Sequence, residues 1–207
     1  MIIQAKNISH DYNGDVALKN ISLEIQKGEF ISLVGESGSG KTTLLSILST
    51  LLHPKSGELF FKDENYKTIK NIDKFRQQNI GFIFQFHYLI NYLTVYENIK
   101  LANEKASQSQ IEKLLKMLEI EKLANRFPNE LSGGQRQRAA IVRALINTPK
   151  VIFADEPTGN LDSKNAKIVF DILKALSKKG TTVIVATHNK SLAKMADRII
   201  EVQDGQI

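Results

Sequence analysis

Short apolar runs alternate with amphipathic helical patterns along most of the chain. FISLV, residues 30–34, is continuously apolar, which is typical of a strand buried on both faces of a sheet. VIFA (151–154) and TTVIVA (181–186) predict two further strands. Between these two runs, residues 163–178 show a helical pattern. Its inward-facing apolar residues are Val169, Ile172, Leu173 and Leu176. The alternation predicts an α/β fold with a parallel-sheet core.

The other patterns place strands near the start of the chain and helices in its middle. Short strands are predicted at IIQAKNI, ISLEI, ELFFK and IGFIF, and KTTLLSILSTLL predicts a helix that ends before Pro54. Thr94–Leu101 predicts a helix, and SQSQIEKLLKMLEI predicts another, capped by Ser107 or Ser109. We therefore expect a single domain over 1–207, in which 1–85 and 147–207 form the core. Residues from about 86 to 146 would form a helical insert.

Composition excludes several classes of function. The chain of 207 residues has no cysteine, which excludes disulfides, zinc ribbons and thiol catalysis. Its longest uncharged stretch, 79–96, is too polar for a spanning helix, and its first residues lack a signal-peptide pattern. We therefore expect a soluble cytoplasmic protein. The net charge is +6, but 22 lysines against 6 arginines, interspersed with acids, favour a solvated surface over a nucleic-acid site.

GESGSGKT, residues 35–42, matches a phosphate-binding loop between a buried strand and a helix. Glycines let backbone N–H groups turn toward phosphate oxygens, and the helix N-terminus adds its positive dipole end. Lys41 would reach the β- and γ-phosphates, and Thr42 would hold Mg²⁺ through its hydroxyl. The predicted nucleotide contacts here are Gly35, Glu36, Ser37, Gly38, Ser39, Gly40, Lys41, Thr42 and Thr43.

VIFADE, residues 151–156, ends an apolar strand in two acids. The carboxyl end of such a strand is where a nucleotide metal lies in open α/β folds. Asp155 would order Mg²⁺, and Glu156 would polarise an attacking water.

LSGGQ, residues 131–135, precedes a predicted helix and forms a second candidate anion site. Ser132 can cap the helix, and two glycines leave backbone donors bare. A simple helix cap is the alternative interpretation. A second phosphate-binding site would be redundant within one monomer, so we expect it to act on the nucleotide of another molecule. The contacts predicted for that nucleotide are Ser132, Gly133, Gly134 and Gln135.

The order of these motifs, with Gln85 at a strand end and His188 after TTVIVAT, resembles the nucleotide-binding subunit of ABC transporters over essentially the whole chain. The resemblance implies a P-loop NTPase core of parallel strands, with an N-terminal antiparallel β subdomain and an inserted α-helical subdomain. It also implies ATP and Mg²⁺ as ligands and a head-to-tail homodimer. An integral membrane permease would be the partner, at the cytoplasmic face of the inner membrane.

The resemblance also implies roles for single residues. Tyr12 would stack on adenine, and Gln85 would meet Mg²⁺ and the attacking water. His188 and Lys41 would stabilise the γ-phosphate during hydrolysis, with Glu156 as the base. Residues 160–162 would cross the dimer interface. Phe86–Leu93 would dock the permease, with core packing as the alternative.

EPTGNLD (156–162) and the run FHYLINYLTVYENI after Gln85 are most similar to the lipoprotein-releasing ATPases within this family. This resemblance implies an ATPase that powers lipoprotein release or export. The alternatives are a macrolide-type efflux ATPase and a cell-division-type ATPase that signals through its membrane partner. A DNA-repair ATPase is disfavoured because the chain has no sustained heptads, and a translation factor because it has one cassette.

Overall fold

A computed structural model describes all 207 residues. The nine strands are β1 (Ile3–Tyr12), β2 (Asp15–Ile25), β3 (Phe30–Val34), β4 (Ser56–Phe61), β5 (Glu64–Asn65), β6 (Ile80–Phe84), β7 (Val151–Asp155), β8 (Thr182–Ala186) and β9 (Arg198–Glu201). The seven α-helices are α1 (Lys41–Leu48), α2 (Ile72–Asn79), α3 (Val95–Ala102), α4 (Gln108–Met117), α5 (Gly133–Leu145), α6 (Ser163–Lys178) and α7 (Lys190–Ala193).

The strands form two sheets. An antiparallel sheet has the order β2-β1-β4-β5, and a five-stranded sheet has the order β6-β7-β8-β3-β9, in which every pairing is parallel. The predicted fold class is therefore confirmed: a parallel α/β core with an N-terminal antiparallel β subdomain. The strand order brings the carboxyl ends of β3, β7 and β8 side by side, where the phosphate loop, Asp155–Glu156 and Thr187–His188 follow.

The parallel sheet is buried on both faces because alternate residues enter different apolar clusters. Ile31 and Phe153 pack with α1 and the antiparallel sheet, whereas Phe30 and Ile152 pack with α3–α6. Continuous apolar runs such as FISLV therefore have one apolar layer on each side. This packing fixes the sheet, and with it the loops at its carboxyl edge.

Two elements differ from the sequence prediction. Helix α1 ends at Leu48, well before Pro54, because Thr50 adopts a left-handed φ of 66°. The carbonyls at this end are satisfied from elsewhere: the Tyr66 hydroxyl donates to Leu48 O (3.3 Å), and Arg76 donates to Thr50 O (2.8 Å). Helix α2 was not predicted, since IDKFRQQN is mostly polar and buries only Phe75 and Asn79. It is started by its cap, Asn71, which accepts from the N–H of Lys74.

The helices α3, α4 and α5 lie between residues 86 and 146 and pack into the same apolar cluster as α6 and one face of the sheet. Thr94 caps α3, and of the two predicted serines it is Ser107 that caps α4. The division of the chain at 85 and 147 stays a prediction. None of the helices has the length and apolarity needed to cross a bilayer.

Candidate active site

The phosphate loop connects β3 to α1 and contains three glycines with positive φ. Gly35 and Gly40 tolerate no side chain: a Cβ on Gly35 would collide with Val202 O, and one on Gly40 would lie 2.6 Å from Ala17 O. Gly38, with φ of 81°, has open space around it. Backbone contacts therefore exclude a side chain at both ends of the loop. Its middle is open to solvent, and Glu36 and Ser37 are exposed there.

Lys41 lies inside this loop although it is charged. Its side chain is buried, and Nζ donates to Gly35 O at 2.9 Å and Glu36 O at 2.6 Å, with Ser39 Oγ at 3.4 Å. No carboxylate forms an ion pair with it. The ammonium therefore places an uncompensated positive charge at the loop, which is the charge an anionic ligand requires.

The segment Val202–Gly205 supports the loop from behind, a contact that sequence reasoning missed. Gly205 N–H donates to Ser39 O (3.0 Å), and Lys19 N–H donates to Gly205 O (2.8 Å). The only local signal is the Asp204–Gly205 pair, which is typical of a turn. Nothing in the sequence showed that this turn would touch a loop about 170 residues earlier.

Thr42 and Asp155 meet between the start of α1 and the end of β7. Thr42 Oγ1 donates to Asp155 Oδ1 at 3.1 Å. Burial raises the pKa of Asp155 above its usual value, and the charge of Glu156 adds to this; the Thr42 hydrogen bond and Lys41 oppose it. The structure therefore brings together two side-chain oxygens from separate motifs.

Glu156 has one engaged and one free carboxylate oxygen. Its Oε1 accepts from the His188 N–H at 2.9 Å and lies 3.0 Å from His188 Nδ1. Its Oε2 is buried and has no partner. The backbone at Glu156 is left-handed, with φ of 45°, and is fixed because its N–H donates to Ala186 O (2.9 Å). A free, buried carboxylate oxygen beside a histidine can accept a proton from water.

Tyr12, at the end of β1, lies beside the helix that follows the phosphate loop. Its hydroxyl is 3.5 Å from Thr43 Oγ1, and His10 packs edge-on against its ring at 4.8 Å between centroids. Tyr12 is half exposed and lies next to the loop. This position is compatible with base stacking, which stays a prediction.

Gln85 lies at the end of β6 beside the segment that follows Glu156. A Cβ on Gly159 would be 2.7 Å from Gln85 Nε2, and Asn160 Nδ2 donates to Gln85 O at 3.4 Å. No hydrogen bond joins the Gln85 side chain to Thr42 or Asp155. Strand β6 nevertheless neighbours β7, where Phe84 pairs with Asp155.

The predicted contacts Ser132–Gln135 lie away from the phosphate loop of their own chain. Ser132 Oγ accepts from Gln135 N–H (3.3 Å) and Gln135 Oε1 accepts from Ser132 N–H (2.9 Å), which forms a capping box. Close by are Leu161 and Asn165: the latter's Oδ1 would be 2.5 Å from a Cβ on Gly134. No hydrogen bond connects these four residues with 35–43. Their role at the nucleotide of another copy stays a prediction.

The segment 86–93 divides into exposed and buried residues. Phe86, Tyr88 and Tyr92 have exposed fractions of 60%, 62% and 80%, whereas Leu89 is 6% exposed and packs in the core. The prediction that the whole segment is a docking surface is therefore wrong at Leu89. The alternation arises because the segment lies over the helices and turns only some side chains inward.

A parallel sheet with a phosphate loop, paired acids at the end of β7 and a second glycine motif at a helix start define a nucleotide-hydrolysing P-loop protein. The family model described as ABC transporter matches residues 18–159, more than half of the chain. The chain belongs to the ABC transporter family and is its ATP-binding subunit, an ATPase.

Two curated relatives and one solved structure illustrate the relationship. The lipoprotein-releasing system ATP-binding protein of Aquifex aeolicus is 44% identical over all of this chain and 96% of its own length. The macrolide export ATP-binding/permease protein of Campylobacter jejuni is 44% identical, but this chain spans 33% of it. A dimeric post-hydrolysis ATP-binding cassette bound to ADP and Pi has 38% identity and a TM-score of 0.89, covering 100% of this chain and 96% of the other.

Proposed function

We propose that this chain hydrolyses Mg-ATP in a head-to-tail homodimer and thereby powers a membrane permease that releases or exports lipoproteins. The observation that carries the dimer is that Ser132–Gln135 form no hydrogen bond with the phosphate loop of their own chain and lie instead beside Leu161 and Asn165. The solved cassette bound to ADP and Pi is itself dimeric. Each ATP would then lie between the loop of one copy and Ser132–Gln135 of the other.

The residues around Thr42 fit a magnesium ion. Their donors are all oxygen, and Asp155 is a half-buried carboxylate that accepts from Thr42 and whose pKa is raised by burial. Mg²⁺ in nucleotide sites uses one or two protein oxygens plus phosphates and waters, so a small donor set suffices. Thr42 and Asp155 would hold the ion, and Gln85 would reach it only by turning away from Gly159. The bound ion would supply charge neutralisation to the phosphates.

Glu156 would be the general base. Its free Oε2 would accept the proton of the attacking water, while Oε1 stays held by His188. His188 is exposed and would contact the γ-phosphate, and Lys41 would leave its loop carbonyls for the phosphate oxygens. These donors would stabilise charge on the transferring group. Tyr12 would position the adenine ring of ATP by stacking on it.

The permease would contact Phe86, Tyr88 and Tyr92, three exposed aromatic side chains on one short segment. Aromatic residues are enriched in protein interfaces. The Campylobacter relative is described as an ATP-binding/permease protein, which supports a permease as the partner here. This chain would then lie on the cytoplasmic face of the membrane, with no role in nucleic-acid binding.

Lipoprotein release is supported by the full-length similarity to the Aquifex protein. Macrolide export is the second candidate, because the Campylobacter relative has the same identity. The test is to reconstitute the chain with a permease of the lipoprotein-releasing type in lipid vesicles that carry a lipidated lipoprotein. We expect Mg-ATP to release the lipoprotein from the vesicles, and Glu156→Gln to abolish the release.

A macrolide that stimulates ATP hydrolysis in these vesicles, without lipoprotein release, would replace the first candidate by the second. Hydrolysis that responds to neither compound would contradict both and favour a signalling role of the cell-division type.

A further inference from the structure

Helix α5 is bonded to the end of β6 and to the residues that follow it. Gln137, which is buried, donates from Nε2 to Phe84 O at 3.0 Å. Six residues further along the helix, Arg143 donates from Nη2 to His87 O (2.7 Å) and from Nη1 to Tyr88 O (2.5 Å). Side chains of one helix thus hold the backbone on both sides of Gln85.

The position of Arg143 is costly. Burial lowers the pKa of its guanidinium, and no carboxylate forms an ion pair with it. Its charge is met by the carbonyls of His87 and Tyr88, whose consecutive spacing suits the fork of a guanidinium. The guanidinium is partly buried and gives up some hydration, which these two carbonyl hydrogen bonds replace.

The backbone that Arg143 holds is strained. Tyr88 has φ of 46°, a left-handed conformation that costs a β-carbon-bearing residue energy. From the other side, Asn98 of α3 is buried and accepts from Ile90 N–H (2.7 Å) while it donates to Leu93 O (3.0 Å). The segment is therefore attached to α3 and α5, and this attachment keeps Phe86 and Tyr88 exposed.

We propose that Arg143 is a positioning residue that couples the permease-docking segment to the helix that presents Ser132–Gln135. The inference rests on the proposed function, in which Phe86 and Tyr88 meet the permease and Ser132 meets the partner copy's ATP. Helix α5 starts at Gly133, ten residues from Arg143, which is about 15 Å along a rigid helix. A shift of the docking segment would thus move Ser132–Gln135, which act on the other copy's nucleotide.

The first experiment measures how firmly the segment is held. Because the chain has no cysteine, a nitroxide label can be placed at Phe86→Cys alone. We expect restricted label motion in the parent, faster motion with Arg143→Lys, whose ammonium lacks the planar fork of the guanidinium, and the fastest with Arg143→Gln. Arg138→Lys is the matched control, since Arg138 lies on the same helix and lines a different cavity, together with residues of α4 and α6. A freely moving label in the parent overturns the proposal even if no Arg143 variant folds.

The second experiment separates positioning from general structure. Arg143→Lys should lower kcat for ATP by up to about 10²-fold, the scale of loss when a distant change misplaces reacting groups. KM should stay within about twofold, because Arg143 makes no contact with the phosphate loop. Parental kcat together with parental label motion would overturn the proposal, as would a loss confined to KM.

Failure of the proposed function would be visible separately. Glu156→Gln with Arg143 intact should form an ATP-bound dimer, and if it does not, the dimer model fails. The alternative result is that the dimer forms normally, forms equally well when Arg143→Lys is added, and shows the same label spectrum. That result would refute the coupling role of Arg143 and leave the dimer model standing.

Discussion

Glu156 differs from the other acids of the site in having one carboxylate oxygen bonded and the other buried without a partner. Glu156→Gln should therefore retain ATP binding and lose about 10²- to 10⁴-fold in hydrolysis, because the amide cannot take a proton. It also removes a negative charge beside the γ-phosphate, so the ATP-bound dimer should accumulate. Size-exclusion chromatography with and without Mg-ATP measures this. Parental hydrolysis by a monomeric variant would remove Glu156 from the role of base.

Replacing Asp155 with asparagine should raise the stability of the nucleotide-free chain and lower its activity. The raised pKa of Asp155 means that the ionised carboxylate costs the nucleotide-free fold stability at neutral pH, since the folded state binds this proton more tightly than the unfolded chain. Asp155→Asn keeps an acceptor for Thr42 and should raise Tm by roughly 2–4 °C per kcal/mol gained. Binding of Mg-ATP should weaken.

The stability gain from Asp155→Asn has a defined pH dependence. It should be full above the raised pKa of Asp155 and should vanish as the pH falls below the ordinary carboxyl value of 3.8, where the parent is protonated too. Calorimetry across this range checks the sign. Asp171→Asn, at an exposed acid paired with Lys167, is the control and should show no such gain at neutral pH. A lower Tm for Asp155→Asn at neutral pH would contradict the assignment.

Single residues were predictable where a motif fixed their neighbours. The phosphate loop placed Lys41 and Thr42 at a helix start, and the strand VIFAD placed Asp155 at the carboxyl edge, so their meeting followed from parallel topology. Leu89 was wrongly assigned to the docking surface. An uncharged, aromatic-rich run has no regular spacing of polar residues that would show which side chains turn inward. The supporting turn at Gly205 depends on a contact between chain ends that no local pattern encodes.

In the proposed dimer, helix α5 carries half of one ATP site at its first turn, and the phosphate loop carries half of the other at the first turn of α1. Ser132→Arg should therefore block hydrolysis without weakening ATP binding to the monomer, since the bulky cation would obstruct only the partner's γ-phosphate. Lys41→Ala should lose most ATP affinity or turnover, because backbone donors cannot replace the ammonium charge.

Mixing these two variants tests the arrangement directly. A mixed dimer has one site with both defects and one intact site, so hydrolysis should reappear at about one working site per mixed dimer. Each variant alone supplies the baseline in the same assay. Loss of ATP binding in Ser132→Arg alone would place the glycine motif beside its own phosphate loop and contradict the dimer.

Elements with strong apolar periodicity were predicted well, and those defined by tertiary bonds were not. Helix α6 matches the expected 163–178 because its apolar face and its cap at Asp162 agree. The early end of α1 depends on Thr50, Tyr66 and Arg76, which meet only in the fold. Polar helices such as α2 give little hydrophobic signal, so only the cap at Asn71 could have indicated it.

For the whole molecule, the exposed aromatic segment predicts where the permease binds. Tyr92→Glu should leave the Tm of the isolated chain unchanged, since Tyr92 is 80% exposed, and should abolish stimulation of ATP hydrolysis by the permease. Val16→Glu, at an exposed apolar position on the antiparallel sheet, is the matched control and should keep that stimulation. Leu89→Ala should instead cost about 2–5 kcal/mol of stability, because Leu89 is core. Full stimulation with Tyr92→Glu would relocate the docking surface.

Strand β3 lies between β8 and β9, so the strand that leads into the phosphate loop is completed by residues 182–201. On a ribosome these partners emerge roughly 10–30 s after β3 at ordinary rates of synthesis. Until then the nascent chain has a phosphate-loop sequence with no sheet to shape it. An unfinished or truncated product should therefore fail to capture nucleotide, and translation itself delays activity until the sheet is complete.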